Sequence, residues 1–176
     1  MDRRDIIVRQ IAKYGIFCLS VFVLYILQST PGFLSFLGIK PVFIMPFCIT
    51  LSMLDENWQS GIVYIAGGLL TDLSCGRVVG TFSIQLLLVC VAGMIAVKFF
   101  FRPSRRNFYL FSFVCMVIML SVDFVFAYVM SGGYSSLFFF YIKTVVLVSA
   151  YSAVFSQPFY YFIDYIGTRF MRFDAR

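Results

Sequence analysis

Three ionisable side chains, Asp72, Asp123 and Lys143, fall inside long apolar stretches, where a charge is costly and its retention points to chemistry or to structure. A carboxylate so placed can relay protons or ions. A Lys opposite an Asp can instead neutralise it as a structural ion pair. Asp123 lies about ten residues before Gly132-Gly133 and Lys143 about ten after it, which at ~1.5 Å per residue brings both to similar depth on adjacent antiparallel helices. The spacing lets them pair and lock one hairpin; the alternatives are a proton or substrate pathway and a Lys143 that snorkels outward. Asp72 sits near the C-terminal end of its helix, where the macrodipole disfavours an anion. Arg77, across the next turn, is its expected compensator.

Little else in the chain resembles catalytic equipment. Histidine is absent, which removes the commonest general base and the commonest metal ligand together. The cysteines, Cys18, Cys48, Cys75, Cys90 and Cys115, are odd in number and without C-x-x-C spacing, so they read as small hydrophobes. No glycine loop is arranged to cradle phosphate, and no Ser/His/Asp set exists. The expectation is a non-enzymatic chain with no catalytic, cofactor-binding or metal site.

The elements that must hold these residues are apolar helices. Of 176 residues, 61% are hydrophobic and 12% charged, where a soluble domain carries about 25% charge. Mean hydropathy is +0.94. A span needs roughly 20 apolar residues, so the length predicts one all-α membrane domain over 1–176 with about six transmembrane helices. Their expected bounds are 15–29, 33–54, 58–73, 78–97, 108–130 and 137–163. The second is the least regular: Pro41 opens a short apolar run ending at Leu54, so either Lys40 snorkels or the helix begins nearer Phe33.

Charge placement fixes orientation. Arg3, Arg4, Arg9 and Lys13 precede the first span, Lys98, Arg102, Arg105 and Arg106 follow the fourth, and Arg169, Arg172 and Arg176 close the chain. Only Lys40, Arg77 and Lys143 fall elsewhere. An even span number with both termini cytoplasmic is the solution that keeps the basic clusters on one side of the membrane. The net charge of +6 is therefore topogenic, and no nucleic acid is expected as partner. Arg102, Arg105 and Arg106, around Pro103, form an expected cytoplasmic anchor on anionic lipid. Small residues four apart, Ala92/Ala96, Ser149/Ala153 and Ser152/Ser156, suit close helix packing inside the chain. Tyr160, Tyr161 and Tyr165 suit a membrane interface.

Pro41 ahead of an apolar helix is followed by a Gly-rich span that enters G-L-L-T-D-L-S-C-G-R-V-V-G, Gly68 to Gly80, and then by another long apolar helix. From Pro41 to about Gly93 the chain thereby resembles the rod shape-determining protein MreD family, whose members show a similar G-x-x-x-D-L-x-x-G-x-x-x-G stretch. Gln28, Asp123 and Pro158 extend the likeness more weakly, and Val42 stands where the family is often polar. The resemblance implies a multi-pass scaffold subunit of the elongation machinery. Such a subunit binds MreC and links it to MreB filaments and to the peptidoglycan synthases RodA and a class B penicillin-binding protein, maintaining cell shape. It marks Pro41, Gly68, Asp72, Gly76, Gly80 and Asp123 as family-like positions of structural role. The alternative is a vitamin-binding subunit of an energy-coupling-factor transporter, also a six-helix chain of similar size. Against that stands the bulky first span, Ile16 to Thr30, which lacks the small-residue spacing those subunits commonly use for docking.

Overall fold

The computed structural model describes residues 3–30, 41–55, 57–75, 79–99, 105–126 and 141–174, and among them no strand occurs. The helices are α1 (Arg3–Ser29), α2 (Ile44–Leu54), α3 (Gly61–Cys75), α4 (Thr81–Phe99), α5 (Arg105–Phe124), α6 (Val148–Val154) and α7 (Ser156–Asp174). A 3₁₀ turn, Trp58–Ser60, leads into α3, and a π-helical turn, Ile142–Leu147, leads into α6.

The second helix organises the rest because it is apolar on every side. Ile44 through Met53 are all buried, as expected for a helix without a polar face. Around it pack α1, α3, α4, α5 and α7. At ~1.5 Å per residue its 11 residues measure about 16 Å, roughly half the hydrocarbon thickness of a bilayer. The expected second span, 33–54, is therefore helical over its second part among the described residues, and residues 33–40 lie outside them.

The start of α2 is tied down by side chains from other helices. The Phe43 N–H donates to Gln28 Oε1 of α1 at 3.1 Å, and the Val42 N–H donates to Ser152 Oγ of α6 at 2.9 Å. These bonds satisfy amides that a helix N-terminus leaves open. Edge-on ring pairs run down the same seam, Phe43 against Phe155 at 4.9 Å and Phe47 against Phe159 at 5.5 Å. Because α2 and α7 match in steps of four residues, they run side by side in one direction.

The expected last span, 137–163, is instead two helices that meet at Phe155, and the second continues to Asp174. Pro158 explains the break. It occupies the first turn of α7, where the missing N–H costs nothing, whereas in the middle of one long helix it would remove a bond and clash. The small-residue rows divide likewise. Ser149, Ser152, Ala153 and Ser156 are buried. Ala92 is exposed, and its neighbour Gly93 instead turns to Ser52 and Phe111.

Much of the exposed surface of α1, α3, α4 and α5 among the described residues is apolar. Large side chains such as Leu19 on α1, Leu73 on α3, Leu88 on α4 and Leu110 on α5 are each more than 60% exposed. Two helical segments, Val8–Ser29 and Thr81–Phe99, are long and apolar enough to cross a membrane.

Candidate functional site

Two poles of the bundle carry its polar chemistry. At the first, Lys13 of α1 reaches Asp55, the residue that ends α2, with Nζ 2.9 Å from Oδ2. Asp55 is 7% exposed and Lys13 18%, so the pair is largely withdrawn from solvent. Asp55 Oδ1 also accepts from Asn57 Nδ2 at 2.9 Å. The Lys13 ammonium lies 5.5 Å from the Tyr14 ring centre and 5.8 Å from that of Phe17, within cation–π range. Gln59 donates to Gln10 at 3.3 Å on the rim. A cleft of about 330 Å³ opens over this pair, walled by Phe17, Leu54 and Ile163 and edged by Asp164, Gly167 and Thr168 of α7. The early part of α1 and the late part of α7 therefore meet at one pole.

The α3–α4 hairpin carries the Gly68 to Gly80 stretch. A Cβ on Gly68 would stand 2.3 Å from the Ser83 Cα, so only glycine admits this approach of the two backbones. One turn on, Asp72 is 2% exposed and turned toward the start of α4. Its Oδ2 accepts from the Gly80 N–H at 2.8 Å and from Ser83 Oγ at 3.4 Å, and its Oδ1 accepts from the Phe82 N–H at 3.1 Å. The buried carboxylate is thus a cap supplied by the preceding helix, sitting where the positive end of the α4 dipole favours an anion. Gly80 has φ +102°, a backbone conformation that side-chain-bearing residues rarely adopt. Gly76 and Arg77 lie outside the described residues. Among the described residues, Asp72 is compensated by the amides of Gly80 and Phe82 at the start of α4, and its expected contact with Arg77 lies outside them.

Near this hairpin a second cavity of about 340 Å³ is lined by Tyr25, Gln28, Ser29, Pro41, Val42 and Ser74. Pro41 is buried at its edge. Asp123 is partly buried on α5, and Lys143 falls in the π-helical turn with its side chain outside those described, so their predicted contact lies outside the described residues as well. The start of that turn does meet α5: Tyr141 Oη shares a hydrogen bond of 2.8 Å with Ser121 Oγ. Arg105 and Arg106 open α5 with side chains outside the described set, as Arg102 is entirely. Pro158 is exposed. Cys48, Cys90 and Cys115 are buried and free in the core, and among the described residues no group of three or more His, Cys, Asp or Glu converges to hold a metal.

Sequence reasoning passed over Asp55, Asp164 and Thr168. Asp55 falls between the expected spans 33–54 and 58–73. Its only signal was an acidic residue closing an apolar run beside a helix rich in basic residues. No family model, curated protein or solved structure matches this chain.

Proposed function

We propose that this chain is a multi-pass membrane scaffold of the MreD type, with both termini in the cytoplasm, holding partners of the bacterial elongation machinery by lateral helix contacts. One observation carries the reading: exposed positions on α1, α3, α4 and α5 are filled mostly by large apolar side chains, while Asp72, Asp55 and Ser152 point inward. That distribution suits lipid as the surrounding solvent. The stretch that resembles MreD supports the finer reading, because Gly68, Asp72 and Gly80 each have a role in closing one hairpin. In this reading MreC is the principal partner, and MreB, RodA and a class B penicillin-binding protein follow through it.

Co-purification from the native host in mild detergent tests the proposal. MreC as the main companion is the expected result; an ATPase module in its place overturns it. The cavity beside Pro41 and Gln28 favours a second reading, a small-molecule-binding transport subunit. The same experiment separates the two.

A further inference from the structure

The cleft between α1 and α7 is lined by groups of both signs, and that mixture narrows what it can hold. Lys13 has three N–H donors, of which Asp55 takes one, and Asn57 keeps an amide hydrogen beyond the one given to Asp55. The Asn57 amide also lies within reach of the Tyr14 hydroxyl, and turned from it that hydrogen joins the spare Lys13 donors in holding an anionic oxygen. Asp164, on the opposite lip, makes no hydrogen bond or ion pair among the described residues. Thr168 Oγ1 donates to the Tyr165 carbonyl at 3.1 Å and keeps its lone pairs as acceptors. A plain anion would meet the Asp55 and Asp164 carboxylates, and a plain cation would leave the remaining Lys13 N–H donors without an acceptor. A ligand with an anionic and an ammonium end satisfies both lips.

The surroundings select its source. Phe17, Leu54 and Ile163 continue the cleft into the apolar part of the bundle. The α7 surface beside it exposes Tyr161, Phe162 and Tyr165, with the Arg169 guanidinium 5.7 Å from the Tyr165 ring centre. Aromatic and basic side chains on one helix are the signature of a headgroup boundary. The cleft volume of about 330 Å³ equals that of roughly ten waters, room for a headgroup and not for a folded partner. We propose that this cleft is a binding site for the aminoethyl phosphate headgroup of a phospholipid, the phosphate on Lys13 and Asn57 and the primary ammonium on Asp164 and Thr168. This rests on the membrane placement proposed above. A trimethylated ammonium lacks the N–H donors that Asp164 and Thr168 accept, so choline lipids bind less well.

Native mass spectrometry of the full chain in detergent, titrated with phosphatidylethanolamine, phosphatidylcholine or phosphatidylglycerol, tests it. The expected result is an ethanolamine-lipid adduct that survives conditions stripping the other two. Asp164→Asn is expected to weaken that adduct about tenfold, while the unfolding temperature of the exposed-site variant stays unchanged. Equal retention of the three lipids, a preference for phosphatidylglycerol, or an adduct indifferent to Asp164→Asn overturns the proposal. So does binding of free phosphoethanolamine without any lipid adduct, which would make the ligand a soluble one. A chain that stays dissolved without detergent sinks the membrane reading itself, a failure distinct from these.

Discussion

Asp72 and Asp55 are both buried carboxylates at helix ends, yet they are stabilised in different ways. Asp72 accepts from backbone amides of the next helix and from one hydroxyl. Asp55 has a cation and an amide. Replacing Asp72 by Ala leaves the α4 amides without their cap in a site closed to water, and should lower stability by about 1–3 kcal/mol. Thermal unfolding in detergent reads this directly, and a loss near zero would show that water or another group takes over the cap. For the ion pair the more telling measurement is a cycle. Lys13→Met strands a buried carboxylate and should cost about 3 kcal/mol or more, whereas Lys13→Met with Asp55→Leu should recover most of that loss. Additive losses in the double variant would show that the two charges do not depend on each other. Sequence alone made Asp72 legible as an anion needing a partner. The amides of Gly80 and Phe82 were not legible there, because a side chain of opposite charge is visible in a string of letters and a row of backbone amides is not.

At the scale of the element, what could be read was whatever depends on a long uninterrupted run. The apolar stretches that became α1 and α4 stand out by length alone, and both are long enough to span a bilayer. The α2 helix was harder, since 11 residues with no polar face have no periodicity to detect. Its burial comes from five neighbouring helices, which no local window contains. The break at Phe155 had a local sign in Pro158, whose meaning depends on whether it falls early or late in a helix. The α3–α4 hairpin gives this scale its test. Gly68→Ala drives a methyl group into the Ser83 backbone and should cost about 1–3 kcal/mol by forcing the helices apart. Gly15→Ala, with nothing within 4 Å of the added carbon, should be neutral or stabilising by up to about 1 kcal/mol. Equal effects of the two variants on unfolding temperature would remove the close approach as the reason for glycine at 68.

For the molecule as a whole, the two poles make orientation a physical question with a definite answer. Lys13 near the start of α1, Asp55 at the end of α2 and Thr168 in the last turns of α7 share one cleft, while Gln28, Pro41 and Ser74 share a cavity away from it. The chain therefore returns to the pole where it began. The basic residues near that return, Arg9 and Arg169 among those described, belong on the cytoplasmic side if lipid surrounds the bundle. Trp58, 80% exposed in the turn after Asp55, then stands at the same water boundary. Tags fused to the two termini should accordingly be protected together in intact cells and become accessible together when the membrane is opened. A reporter inserted at Gly133 should behave in the opposite way, since α5 leads away from the basic pole. Protection of one terminal tag and exposure of the other would require an odd number of crossings. That outcome contradicts a fold in which α1 and α7 line a common cleft, because an odd path cannot bring both ends of the chain to the same face of a bilayer.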